Sequence, residues 1–274
     1  MNNTFSIQRF GLLLKRQWLE FGKIYLISLV VVLGVLLTFY GFQYYSITHF
    51  EHFENRSYSR NPLIFRIPLF LVTGLIFITI MASTYFAHLG QKSRAIIDLM
   101  IPASTFEKLI AGIFYTTVLG ILSYLLLFYL TDLAFVTKLR SWYEHSGRNM
   151  FLDGEKVELA EMFPYFCQGH SKDMFPAFYI VPFLFTSIFL LGSIYFEKFH
   201  YIKTTIVVMI FAGLWSAIIA KAGQELFRNK IATEGYSHIQ GTKDGIESGV
   251  IFLLIALTLI FWALTYVRLK EKEV

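Results

Sequence analysis

Residues 88–108, HLGQKSRAIIDLMIPASTFEK, form a polar and basic stretch between two of the most apolar segments of the chain. We call this stretch the island. The apolar segments on either side reach or approach the roughly 20 residues that a helix needs to cross a bilayer. The island therefore predicts a surface loop between two membrane spans, and its polar side chains indicate contact with a soluble partner.

The composition of the whole chain is typical of a membrane protein. Of its 274 residues, 55% are hydrophobic and only 16% are charged, whereas a soluble domain averages about 25% charged residues. The 29 Phe and 16 Tyr residues exceed the needs of one globular core. We predict an all-α integral membrane protein with six transmembrane helices in a single membrane domain that covers residues 1–274.

The distribution of charge predicts that both termini are cytoplasmic. The segments assigned to the inside contain twelve Lys or Arg residues and six acidic residues, whereas those assigned to the outside contain eleven basic and thirteen acidic residues. Short cytoplasmic loops retain Lys and Arg, so the net charge of +5 reflects topology rather than nucleic-acid binding. The predicted location is the cytoplasmic (inner) membrane, with several passes.

The apolar runs define the spans and the segments between them. The predicted spans are residues 24–45, 62–86, 109–130, 175–195, 204–222 and 250–267. Residues 132–174 are predicted to form a long, net acidic outer segment, and residues 223–248 a second outward segment. Residues 196–203 leave room only for a tight inner turn.

Residues 5–23 predict an N-terminal amphipathic elbow helix on the inner leaflet. Trp18 falls on the apolar stripe of this segment at helical spacing, which favours the headgroup level. The basic residues Arg9, Lys15 and Arg16 are expected to lie toward lipid phosphates. The alternative is that this segment is only the basic flank of the first span.

Arg66 is a charged residue inside the predicted second span. It lies about one helical turn from the outer end, so we expect its side chain to snorkel toward the outer surface. The alternative is that Arg66 faces a translocation path, since charges inside a membrane are often functional. Pro176 and Pro182 predict a kinked fourth span because proline removes a backbone hydrogen bond.

The sequence contains few residues that indicate catalysis or metal binding. His49, Glu51 and His52 resemble metal ligands, but three polar residues in an exposed loop more often face solvent. Cys167, His170 and Asp173 lack the second paired motif of a metal site. Nucleotide P-loop, zinc-protease and serine-hydrolase motifs are absent from the sequence. We therefore predict that the chain is no enzyme and holds no cofactor. As the one cysteine, Cys167 forms no intramolecular disulfide.

The second half of the island predicts the start of a helix. Pro102 disfavours a helical backbone at Ile101. Ser104 and Glu107 have the spacing of a capping box, in which each side chain accepts a hydrogen bond from the backbone of the other. The third helix is therefore expected to begin before Lys108, which is predicted at the inner headgroup level.

Several stretches together resemble the permease subunit of a type 2 ABC transporter, particularly those of Bacteroidetes bacteria. They are RFGLLLKRQWLEFGK at 9–23, IPASTFEK at 101–108 and GSIYFEKFHYIKT at 192–204. The order of six spans, with an extended outward segment before the last, is also similar. The outer segment of 43 residues at 132–174 is longer than the family usually has there.

The resemblance implies the membrane half of an ATP-driven exporter that pairs with a second permease copy or a paralogue. ATP and Mg²⁺ would bind to a separate cytoplasmic ABC ATPase subunit, on which the island would dock as the coupling loop. The implied coupling residues are Gly90, Gln91, Lys92, Arg94, Asp98, Leu99 and Met100. Membrane lipids are the other expected partner, and nucleic acid is not expected.

Two alternatives stay open on the sequence alone. In the first, the chain is a structural or sensory membrane protein without transport, which binds a ligand or subunit through residues 132–174. In the second, the island is an ordinary basic inner loop that only fixes topology. An ATPase gene beside this one favours transport, whereas a neighbouring signalling gene favours the sensory function.

Overall fold

A computed structural model of the chain describes residues 6–50, 63–90, 100, 103–145, 151–152, 155–156, 163–166, 179–227 and 239–272. Within these ranges the regular structure is helical apart from one pair of two-residue strands. The all-α class predicted from the apolar runs is confirmed.

The helices are long and most of them begin or end beyond the apolar runs. Their bounds are α1 Ile7–Phe50, α2 Arg66–Tyr85, a 3₁₀ turn Ala87–Gly90, α3 Thr105–Ile113, a π-helical segment Phe114–Leu119, α4 Gly120–His145, α5 Val181–Tyr195, α6 His200–Phe227 and α7 Ile239–Lys272. The strands β1 Phe151–Leu152 and β2 Glu155–Lys156 are antiparallel, with Leu152 opposite Glu155. We refer to Thr105–His145, which joins α3, the π-helical segment and α4, as the third helix.

Five helices in the described part of the chain are long and apolar enough to cross a membrane. They are Ile7–His49, Arg66–Leu89, Thr105–His145, His200–Ile218 and Ser248–Lys272. The chain is therefore a helical protein of the multi-pass membrane type. The remaining apolar helix, α5, has 15 residues, fewer than the roughly 20 that cross a bilayer. Residues 167–178, which include the start of the predicted fourth span, lie outside the described residues.

The predicted elbow helix and the first span form one uninterrupted helix. Helix α1 has 44 residues, which at 1.5 Å per residue gives a length of about 66 Å. This length is about twice the 30 Å of a bilayer hydrocarbon core. The junction at residues 23–24 contains no proline, and an ion pair of 3.2 Å between Arg16 and Glu20 supports the helix one turn before it. A separate elbow is not seen in this described range.

The third helix continues beyond the predicted end of the third span. Its last 14 residues, 132–145, belong to the segment that was predicted to lie outside the membrane. The apolar run ends near Leu130, but Val136, Leu139 and Tyr143 are buried at helical spacing and continue the packed face. The predicted outward segment 223–248 is likewise helical at both ends, because α6 continues to Phe227 and α7 begins at Ile239.

The chain divides into two compact units. The first unit contains Met1–Lys15, Ile78–Thr117 and Pro176–Val274, and the second contains Arg16–Phe77 and Val118–Phe175. In the first unit, α5 packs against α6 and α7, and α7 packs against α3. The predicted single membrane domain stays a prediction.

Aromatic rings form the core of the second unit. The ring of Tyr40 lies 4.8 Å from that of Phe135 and 5.5 Å from that of Phe65, measured between centroids. Phe70 meets Phe128 edge-on at 4.9 Å. Rings at these separations add to the stability gained from burial alone, which explains much of the high Phe and Tyr content.

A tight turn joins α5 to α6, as the sequence predicts. Helix α5 ends at Tyr195 and α6 begins at His200. Phe199 in this turn has a φ of 54°, in the left-handed region that L residues adopt at a cost. Gly192 near the end of α5 lies directly against Thr204 of α6, and a Cβ built on it would meet the Cγ2 and Cβ of Thr204 at 2.8 and 2.9 Å.

We predict that Gly192→Ala destabilises the protein by about 1–3 kcal/mol, because the added methyl group has no room between α5 and α6. Gly213→Ala on α6 is the matched control, since nothing lies within 4 Å of a Cβ built there. The control is expected to leave stability unchanged or to raise it by up to about 1 kcal/mol through helix propensity. Thermal unfolding of the detergent-solubilised protein, followed by tryptophan fluorescence, measures both. Equal unfolding midpoints for the two variants would contradict the close approach.

Candidate functional site

The exit of the island contains the capping box that the sequence predicts. Ser104 has an extended backbone and precedes the first residue of the third helix. The Glu107 backbone N–H donates to the Ser104 Oγ at 3.2 Å, and the Ser104 backbone N–H donates to the Glu107 Oε2 at 2.9 Å. These two bonds satisfy backbone donors that have no partner inside a helix, so the helix start is firmly defined.

The Glu107 carboxylate also binds the N-terminal segment. The Ser6 backbone N–H donates to Glu107 Oε1 at 2.9 Å, and the Arg9 guanidinium lies 3.5 Å from the same oxygen. The Glu107 side chain is fully buried. A buried carboxylate is stable only with such charge-assisted hydrogen bonds, so Glu107 fixes residues 6–9 against the start of the third helix.

A second contact joins the N-terminal part of α1 to the third helix, about two turns beyond Glu107. The Tyr115 hydroxyl donates to the Leu14 carbonyl at 2.8 Å. Tyr115 lies in the π-helical segment, together with the buried Thr116 and Thr117. The Thr117 hydroxyl donates to the Thr186 Oγ1 on α5 at 3.2 Å. Single π-helical turns occur often at functional sites, and the sequence contains no pattern that predicts this one.

The structure brings together some of the predicted site residues and separates others. Arg9 points to Glu107 rather than to lipid phosphates, because a buried carboxylate lies within its reach. Arg16 instead pairs with Glu20, and the Trp18 ring lies 6.0 Å from that of Tyr25. Lys15 is exposed. Lys108, predicted at the headgroup level, is 4% exposed and therefore buried.

Most of the predicted coupling residues lie outside the described part of the chain. These are Gln91, Lys92, Arg94, Asp98 and Leu99. Gly90 ends the 3₁₀ turn that follows α2, and Met100 is 79% exposed. The described site is therefore the exit of the island, which we call the Glu107 cluster and define as Ser6, Arg9, Ser104 and Glu107.

A second polar centre lies in the second unit and was not predicted. Arg66 does not snorkel: its side chain is fully buried and its Nη1 lies 2.9 Å from Asp132 Oδ1 and 3.2 Å from Oδ2. The Tyr40 hydroxyl donates to the same Oδ1 at 3.1 Å. A carboxylate on the neighbouring helix provides a closer partner than water, so the snorkelling prediction is wrong.

Residues 163–166 lie against this ion pair, and we call them the strap. The Arg66 Nη2 donates to the Pro164 carbonyl at 3.1 Å, and the Phe166 backbone N–H donates to the Asp132 Oδ2 at 2.9 Å. Arg140 Nε donates to the Phe163 carbonyl at 3.0 Å. A charged pair that is fully hydrogen-bonded avoids much of the penalty of burial.

Neither centre contains the group of side chains that a metal site requires. The described residues include no group of three His, Cys, Asp or Glu side chains that would hold a metal ion. In the loop groups considered from the sequence, Glu51, His52, Cys167, His170 and Asp173 lie outside the described residues. Both centres hold backbone segments in place, which is a positioning role.

Comparisons with protein-family models, curated proteins and solved structures give no match to this chain.

We predict that Glu107→Gln destabilises the helix start by about 1–3 kcal/mol, because the neutral amide loses the ion pair with Arg9 and weakens the hydrogen bond that the Ser6 backbone N–H donates. Ser104→Ala is expected to cost about 1 kcal/mol as a lost N-cap. Hydrogen exchange in peptides that cover residues 104–113 should accelerate in both. Glu20→Gln, at an exposed i,i+4 pair, is the control and should exchange like the native protein. Unchanged exchange in Glu107→Gln would argue against the cluster.

We predict that Arg66→Met or Asp132→Asn alone costs about 3–5 kcal/mol, because each leaves one buried charge without its partner. The double variant Arg66→Met/Asp132→Asn should cost clearly less than the sum of the two single changes. Unfolding midpoints in detergent measure this coupling. Arg16→Met, at an exposed pair, serves as the control with little change. Additive effects of the two changes would contradict a direct pair.

Proposed function

We propose that the chain is the membrane-spanning half of an ATP-driven exporter, of the type 2 ABC permease kind. In this proposal it crosses the cytoplasmic membrane six times with both termini inside. The fourth of these spans comprises α5 together with the apolar residues before it, from about 175. ATP and Mg²⁺ bind a separate ATPase subunit, and the island docks on that subunit.

The observation that carries the proposal is the Glu107 cluster. A loop that transmits movement from a partner must be continuous with a rigid element, because a flexible connection absorbs the displacement. The capping box makes the exit of the island a rigid helix start. The bonds from Glu107 to Ser6 and Arg9 extend this rigidity to the N-terminal segment. A push on the island would therefore reach the third helix and the start of α1 together.

Two further observations support the proposal. The proposed inner segments contain twelve basic and six acidic residues, whereas the longer outer segments contain eleven basic and thirteen acidic residues. This distribution supports the proposed orientation, because short inner loops retain Lys and Arg. The exposure of the helices is also uneven: only 6% of the apolar window of α6 is buried, against 44% for the third helix. Apolar helices of this exposure leave ample surface for lipids and for a second permease copy. Lys15, Arg16 and Trp18 are the proposed contacts with inner-leaflet lipids.

We predict that the chain co-purifies with an ABC ATPase encoded beside it, and that Asp98→Arg or Leu99→Asp lowers this association at least about tenfold, as expected for a central interface residue. Lys270→Asp, on the proposed inner tail, changes charge by a similar amount and should leave association intact. Glu107→Gln should keep the ATPase bound but reduce the stimulation of its ATP hydrolysis.

Two outcomes would overturn or redirect the proposal. Unchanged association and unchanged ATPase stimulation in both island variants would show that the island does not dock. A chain that binds no ATPase but retains an extracytoplasmic ligand or subunit through residues 132–174 would favour the structural or sensory function. The strap supports that alternative, because this part of residues 132–174 is hydrogen-bonded to side chains of α2 and α4.

A further inference from the structure

The strap is attached to the second unit by charged side chains. Its backbone hydrogen bonds in the described structure go to Arg66, Asp132 and Arg140. These three side chains belong to α2 and α4, so the strap lies against two helices rather than within one. Its attachment therefore depends on groups that lie far from it in sequence.

Aromatic contacts complete the attachment at both ends of the strap. The Phe166 ring lies 5.1 Å from the rings of Phe70 and Phe128, and the Arg66 guanidinium lies 5.9 Å from its centroid. At the other end, the fully buried Phe163 stacks on Tyr143 at 5.0 Å. The Arg140 guanidinium lies 4.4 Å from the Tyr165 ring. The surface of α2 and α4 that binds the strap thus contains both hydrogen-bonding side chains and aromatic rings.

The ion pair keeps its own partners if the strap leaves. Arg66 and Asp132 still hold each other through two contacts, and Asp132 still accepts from Tyr40. Water can replace the two lost bonds to the strap backbone. An apolar site would not bind the Pro164 carbonyl and the Phe166 N–H at all, because burying them unsatisfied is costly. A site with a single buried charge in place of the ion pair would leave that charge without a partner after release, which is also costly.

Because the ion pair has partners with and without the strap, we propose that the strap docks reversibly on Arg66 and Asp132. These two residues stay paired in both the docked and the released state. Asp132, Val136 and Arg140 follow one another at intervals of four residues on one face of α4. The first and the last of them bind the strap, and we infer that Val136 between them lies beneath it. Release exposes this face to water. The proposal does not rest on the transport function, because it concerns the second unit alone.

A cysteine introduced under the strap reports its release. In a Cys167→Ser background, Val136→Cys places a thiol of similar volume at a fully buried position between the two strap-binding residues of α4. We call this the probe thiol. Ser193→Cys on α5, at 1% exposure, supplies a matched control thiol outside the strap region.

The rate of modification by a water-soluble maleimide is measured on each purified full-length protein in detergent. We expect the probe thiol to react faster than the control thiol, because local release needs less free energy than unfolding.

Substitutions that weaken the docking site test the cause. Arg140→Met removes the hydrogen bonding to the Phe163 carbonyl and leaves the ion pair intact, so it remains informative if a buried-pair variant fails to fold. It should accelerate modification of the probe thiol by about tenfold, the effect of one charge-assisted hydrogen bond. Arg66→Met and Asp132→Asn should accelerate it further. Modification of the control thiol should stay unchanged in Arg140→Met.

Either of two results would overturn the proposal. One is equal modification of the probe and control thiols with the native docking site, which would mean that the strap leaves only on unfolding. The other is a probe-thiol rate that Arg140→Met does not change, which would mean that the strap does not depend on these charged side chains.

Discussion

A carboxylate buried among apolar side chains must find its hydrogen bonds within the protein, and the third helix contains two such carboxylates. Glu107 lies near its start and Asp132 lies 25 residues further along. Each is satisfied by an arginine and by backbone N–H groups from a segment distant in sequence. In a membrane-type chain with few charged groups, these two requirements decide which segments the helix holds in place.

The two carboxylates, Glu107 and Asp132, obtain their hydrogen bonds from different kinds of partner. At Glu107 the partners include the local backbone of Ser104, so the carboxylate both begins a helix and binds residues 6–9. At Asp132 the partners come from α1, α2 and the strap, so the carboxylate joins three separate parts of its unit. The first arrangement is suited to transmitting a displacement, and the second to holding a segment that can leave.

The sequence predicted features that depend on short-range pattern. Apolar runs gave the helical class, and the three-residue spacing of Ser104 and Glu107 gave the capping box. It did not predict that the third helix continues to His145. Hydropathy marks the limit of an apolar environment, whereas Val136, Leu139 and Tyr143 continue the packing beyond that limit. Arg66 and Asp132 are 66 residues apart, and no local pattern connects them. The bond from Ser6 to Glu107 spans 101 residues and escapes prediction for the same reason.

The pairing of Arg66 with Asp132 also limits the force that a membrane potential exerts on these two buried charges. A membrane potential acts on each elementary charge with about 2.3 kcal/mol per 100 mV across the full bilayer. The two opposite charges lie 2.9 Å apart at their nearest atoms and move together, so their contributions nearly cancel. A rearrangement that keeps the pair intact therefore moves almost no net charge of this pair through the electric field. The contribution of this pair to the free energy of such a movement is therefore nearly independent of the membrane potential.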